Sequence, residues 1–142
     1  MKSEIQFILD GKIVLLDFQQ SIVTPTTTVL NYLRSLPTHK GVKEGCAEGD
    51  CGACTVVLGE KSSDGKIHYK HIDSCLVFLP MLHGKQLLTV ENLKTENSEL
   101  HPVQSAMVET GGSQCGFCTP GIIMSLFSLR SEEHTSELQS PY

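Results

Sequence analysis

Residues 43–59 read KEGCAEGDCGACTVVLG and place Cys46, Cys51 and Cys54 within nine residues, at C-x4-C-x2-C spacing. Gly45, Gly49, Gly52 and Gly59 lie in the same stretch, and Cys75 follows 21 residues after Cys54. This is the plant-type spacing for a 2Fe–2S cluster. Four thiolates must converge on two irons, and three of them come from one loop that wraps a bulky inorganic core. Glycine permits the φ > 0 turns such a loop needs and lets backbone N–H groups approach the sulfurs without an intervening Cβ. Glu48 and Asp50, between the cysteines, indicate a surface loop.

Three other chemistries use cysteine. A structural zinc site favours paired C-x2-C units or added histidines, and only Cys51 and Cys54 are paired in this half. Disulfides belong to oxidising compartments, and the start Met1-Lys2-Ser3-Glu4 has no apolar signal region. A thioredoxin-like pair would use Cys51 and Cys54 and leave Cys46 and Cys75 idle. The cluster uses all four.

The composition fits a soluble globular chain: 142 residues, 39 % hydrophobic, 19 % charged and no tryptophan. A formal charge of −5 and the lack of a basic run argue against nucleic acid. No apolar run approaches the ~18 residues of a membrane span. Six cysteines without a targeting signal point to a reducing cytoplasm.

Working outward, Glu4 to Phe18 reads as a hairpin about Asp10-Gly11, with Ile5, Phe7 and Leu9 on one side and Ile13 and Leu15 continuing the alternation. Thr26 to Thr28 offer an N-cap for a helix carrying Val29, Leu30, Leu33 and Leu36, which Pro37 ends. Thr55–Leu58, Ile67–Ile72 and a run near Leu87–Val90 read as strands. Hairpin, helix, cysteine loop and further strands give an α+β fold of β-grasp ferredoxin type. After a polar linker at 92–99 the character becomes helical. Pro102 sits at a helix start with Val103, Ala106 and Met107 on one face, and Gly111-Gly112 stops it. Thr119 and Pro120 then read as N-cap and first residue of a helix bearing Ile122, Ile123, Leu126, Phe127 and Leu129.

Between these helices lies QCGFCTPG, residues 114–121. Cys115 and Cys118 are two ligands in need of two more, just ahead of a helix N-terminus whose dipole favours thiolate. A lone C-x2-C fits a redox disulfide or half a zinc site equally well.

Taken together, KEGCAEGDCGACTVVLG, Cys75 and QCGFCTPGIIMS resemble the iron–sulfur portion of the xanthine dehydrogenase family of molybdenum hydroxylases, most similarly the small subunit of its bacterial members. The resemblance covers residues 4 to 129. It implies a β-grasp domain with one 2Fe–2S cluster at residues 1–92, then at 93–129 the first half of a helical domain with a second cluster. Cys46, Cys51, Cys54 and Cys75 would ligate the first cluster, and Cys115 and Cys118 would supply half of the second. Gln114 matches the position that lies against the molybdopterin. Electrons would pass from a molybdenum-cofactor subunit through the clusters to an FAD-binding domain and NAD, the substrates being purines. Aldehyde oxidases and carbon monoxide dehydrogenase-type small subunits share the scaffold. A structural zinc module that mediates protein contacts is the reading from a different class.

The chain also departs from the family, which completes its second site with a downstream C-x-C pair. No cysteine follows Cys118 in the remaining 24 residues. The last thirteen, RSEEHTSELQSPY at 130–142, lack the preceding apolar pattern and resemble translated read-through of a sequencing adapter. They are expected to be a non-native tail, and the incomplete helical half is expected to be loose.

Overall fold

The structure is a computed structural model that describes residues 3–94, 97 and 99–133. Five strands form one sheet: β1 (Glu4–Leu9), β2 (Lys12–Asp17), β3 (Thr55–Lys61), β4 (Ile67–Asp73) and β5 (Gln86–Leu88). Their spatial order is β2-β1-β5-β3-β4. β1 and β5 run parallel, and the other neighbours are antiparallel. Helix α1 (Val29–Ser35) is capped by the Thr28 hydroxyl, which accepts from the Asn31 N–H at 3.2 Å. Helices α2 (Pro102–Glu109) and α3 (Thr119–Glu133) follow the sheet.

The turn that joins β1 and β2 has positive φ at both Asp10 (47°) and Gly11 (80°), the type I′ geometry that matches the twist of a two-residue hairpin. It pairs Leu9 with Lys12, Phe7 with Val14 and Ile5 with Leu16. Val14 and Leu16 therefore share the core face of β1, whereas Ile13 and Leu15 are 68 % and 70 % exposed. The alternation read from the sequence was in the opposite phase. The turn sets the phase, because a two-residue loop puts directly opposed residues on the same face of the sheet.

Strand β3 is buried from Thr55 to Gly59 because both of its faces are covered. Val56 and Leu58 join Phe7, Leu87, Leu30 and Leu33 under α1. Val57 and Leu88 face the other way and meet Ile123, Met124 and Phe127 of α3. A strand covered on both sides carries a continuous apolar run instead of an alternating one, as TVVLG does. The expected strand at Thr55–Leu58 extends to Lys61, and the expected Leu87–Val90 strand becomes Gln86–Leu88 followed by a 3-10 turn at Val90–Asn92.

α3 buries Ile123, Met124 and Phe127 against the sheet. None of the residues of α2 is fully buried, although Val103 and Met107 pack against the α3 cluster. α3 starts at Thr119 and runs past Leu129 to Glu133, with the buried Ser131 hydroxyl donating to the Phe127 carbonyl at 2.8 Å. Residues 130–133 thus continue the helix, as a stretch free of Pro and Gly does once a turn is nucleated. The rest of the expected tail, 134–142, lies outside the described residues, as do positions 95, 96 and 98 of the linker. Among the described residues no helix is long and apolar enough to cross a membrane.

Candidate metal centre

The β3–β4 hairpin closes the 21-residue gap between Cys54 and Cys75. Thr55 pairs with Asp73, so Cys54 and Ser74 follow as the next opposed residues. The buried Ser74 hydroxyl donates to the Cys54 carbonyl at 2.6 Å, with the Ser74 N–H on the same oxygen at 3.4 Å. Cys54 and Cys75, both buried, are thereby held side by side.

Cys46 stands on the outer side of the same loop. The backbone N–H groups of Glu48, Asp50 and Cys51 all donate to its Sγ, at 3.4, 3.3 and 3.4 Å. A concavity of converging amides of this kind stabilises a negative sulfur. The amides, that of Glu48 foremost, bring the Cys46 thiol down to about 7. Burial pushes the Cys75 thiol up to about 11, helped by the hydrogen bond and charge of Cys54 and by the charge of Cys46, and opposed by the Gly49 N–H. The Cys51 side chain also hydrogen-bonds Cys46. Cys46 thus meets Cys51 at an amide-lined end of the loop and Cys54 meets Cys75 at a buried end, the charge of Cys46 being felt at Cys75; among the described residues no three metal-ligating side chains close on one point. Gly45 makes room for this, since a Cβ there would lie 2.7 Å from the Cys51 sulfur.

The donor set fits a 2Fe–2S cluster. Such a cluster takes four cysteine thiolates shared between two irons. All six cysteines are free thiols.

Cys115 and Cys118 are exposed on the loop between α2 and α3. Gly116 turns the loop at φ 83°, and Ser113 and Thr119 hydroxyls close its base at 2.7 Å. The Cys118 carbonyl accepts from the Ile122 N–H at 3.1 Å, so Cys118 immediately precedes the first turn of α3. Gln114 is exposed beside them. Their loop adjoins the first one. A cleft of about 300 Å³ has Cys51, Gly52 and Thr55 on one wall and Cys118, Gly121 and Ile122 on the other. The Lys43 ammonium lies 6.0 Å from the centre of the Phe117 ring. A Cβ on Gly121 would run into the Gly52 carbonyl oxygen and come within 3.2 Å of its carbon.

The sequence reading found the six cysteines but not the Ser74 clamp or the Gly121 contact. The only sequence hint of the latter was a glycine in the first turn of an otherwise apolar helix.

Comparison with known proteins agrees with this layout. The family model "2Fe-2S iron-sulfur cluster binding domain" matches residues 10–78, and "[2Fe-2S] binding domain" matches residues 89–140. Xanthine dehydrogenase of Drosophila pseudoobscura pseudoobscura is 43 % identical over 136 residues, 94 % of this chain and 10 % of its own length. The aldehyde oxidoreductase structure from Desulfovibrio desulfuricans superimposes with TM-score 0.72 at 34 % identity, over 92 % of this chain and 13 % of that one. Quinoline 2-oxidoreductase from Pseudomonas putida gives TM-score 0.73 at 27 % identity, over 91 % of this chain and 70 % of that one. The chain spans about a tenth of the curated relative it matches. With a β-grasp and a helical iron–sulfur domain in this order, the chain belongs to the iron–sulfur domains of the molybdenum hydroxylase family, among relatives of xanthine dehydrogenase and aldehyde oxidoreductase.

Proposed function

We propose that this chain carries electrons for a xanthine dehydrogenase-type molybdenum hydroxylase acting on purines. In this reading Cys46, Cys51, Cys54 and Cys75 hold one complete 2Fe–2S cluster, and Cys115 and Cys118 provide half of a second site. The observation that carries it is the pairing of Cys46 with Cys51 and of Cys54 with Cys75 on one loop and hairpin, two of the thiols buried and one cradled by three amides. The group supplies one-electron oxidation and reduction, with plant-type clusters near about −400 mV.

The chain's own residues do the rest. The three amides on Cys46 withdraw charge from its sulfur, a lever that raises potential. The Ser74 clamp fixes Cys54 and Cys75, and burial of these two thiols excludes water from one end. The proximity of the two cysteine loops supports a relay role: Cys46, Cys51, Cys54 and Cys75 would hold the first group, Cys115 and Cys118 would hold part of the second, and Gln114 would face a molybdenum–pterin partner. The whole operates as part of a larger oxidoreductase in the cytoplasm. The match to aldehyde oxidoreductase supports the same relay serving an aldehyde-oxidising partner.

Anaerobic reconstitution with iron and sulfide tests the reading. A brown protein with visible bands bleached by dithionite supports it. A colourless protein that binds zinc and refuses iron and sulfide sinks it.

A further inference from the structure

We propose that Gly121 is a positioning residue for the Cys51–Cys54 turn: seated on the Gly52 carbonyl, it keeps the cleft beside Cys51 narrow and the reduction potential of the first cluster low. The inference rests on the assignment of that cluster to Cys46, Cys51, Cys54 and Cys75.

The turn is tight. Gly52 has φ 72°, and its carbonyl oxygen accepts from the Thr55 N–H at 3.1 Å and from the Thr55 hydroxyl at 2.7 Å. The same carbonyl meets the first turn of α3, where a Cβ on Gly121 would strike the oxygen and lie 3.4 Å from the Ala53 Cα. Neither side yields easily. Cys51 and Cys54 flank the turn, while Ile123 and Met124, next along α3, are wedged against Val57 and Leu88. Glycine within a helix is less favourable than alanine, so local helix stability does not account for it. The contact with Gly52 does. Lys43, whose N–H donates to the Ala53 carbonyl at 3.1 Å, adds a second link between the loops through the Phe117 ring.

The consequence for electron affinity has a sign. Reduction adds one negative charge to a group already bound by four thiolates, and water stabilises the more charged form. Solvent exposure is one of the factors that set cluster potential. Cys51 is exposed, and the cleft that Gly121 and Ile122 line lies directly beside it. A side chain at 121 pushes α3 away from the turn, widens the cleft and raises the potential.

The test is a dithionite titration of the anaerobically reconstituted 142-residue chain, followed by electron paramagnetic resonance. Gly121→Ala should raise the reduced-to-oxidised ratio at fixed potential about tenfold, which is 59 mV for one electron, and alter the g-anisotropy of the reduced signal. Ile122→Ala, which opens the cleft without a clash at a half-exposed position, should move it several-fold in the same direction. If Gly121→Ala takes up no cluster, Ile122→Ala decides alone. A wild-type chain that binds no cluster refutes the underlying assignment. A loaded wild type whose variants titrate identically to it overturns the role of Gly121, even if the variants melt earlier.

Discussion

The buried Ser74 hydroxyl donates to the carbonyl of Cys54 at 2.6 Å, and this bond ties the end of the cysteine loop to the segment that carries Cys75. Removing it strands part of a buried acceptor, since the Ser74 N–H on the same oxygen is longer, at 3.4 Å. Ser74→Ala should cost about 1–2 kcal/mol in urea unfolding of the cluster-free chain. It should also speed loss of the visible absorbance in chelator after reconstitution. Unchanged unfolding and unchanged loss would show that the hairpin register alone positions Cys75.

In the proposed assignment the thiols divide four against two. Cys46→Ser, Cys51→Ser, Cys54→Ser and Cys75→Ser should each abolish the stable cluster spectrum and lower iron from about two per chain toward none. Cys115→Ser and Cys118→Ser should leave both unchanged in the 142-residue chain. About four irons in the unmutated monomer would contradict this division.

His101 makes the seat of α2 depend on pH. Its Nδ1 accepts from the Val103 N–H at 3.3 Å, and its ring meets Phe127 edge-on at 5.2 Å. Burial first, and the Arg130 charge second, hold its pKa below the ordinary value of 6.5. The unfolded chain therefore takes up this proton first as pH falls. The stabilisation is complete above the ordinary histidine pKa and is lost as pH drops through the depressed folded value. Amide exchange in α2 should accelerate across that window in the wild type and stay flat in His101→Asn, which keeps a cap acceptor without titrating.

Asp10 sits at a left-handed turn position and accepts from the Thr89 N–H at 2.7 Å, the Thr89 hydroxyl at 2.6 Å and His39 Nε2 at 2.9 Å. Burial outweighs these partners and raises its pKa above 3.8. The folded state then holds the proton more tightly than the unfolded one. This contribution is fully present below the ordinary pKa and is lost as pH rises through the raised one. Asp10→Asn tolerates the same backbone and keeps an acceptor for Thr89, so its thermal midpoint at pH 7 should equal or exceed the wild type. Asp10→Ala orphans Thr89 and should lose about 1–3 kcal/mol.

Met124 distinguishes a docked helix from a loose one. It is 1 % exposed between α3 and the sheet. Met124→Ala should destabilise a single cooperative transition by about 2–5 kcal/mol. If α3 moved independently of the sheet, the main transition would not respond.

The cysteine pattern was legible because it is local. Ligand type and spacing in KEGCAEGDCGAC, together with the QCGFC loop, are covalent properties of the chain, as are the helix stops at Pro37 and Gly111. The hairpin at Asp10-Gly11 was equally readable, yet its facing was not. Ile13 and Leu15 match Val14 and Leu16 in hydrophobicity, and only the pairing of Leu9 with Lys12 decides which set turns inward.

By itself, the sequence determined the six cysteines and their spacing, the β-grasp order of elements and the helical character of the second part. The tertiary structure alone decided that α3 covers the second face of β3, that Ser74 locks Cys54 beside Cys75, and that Gly121 rests on Gly52. The reason is physical. A cysteine pattern is fixed by chain connectivity, whereas the contact of one backbone with another far along the chain depends on how two apolar faces pack. A glycine in the sequence does not say which carbonyl it was kept small to meet.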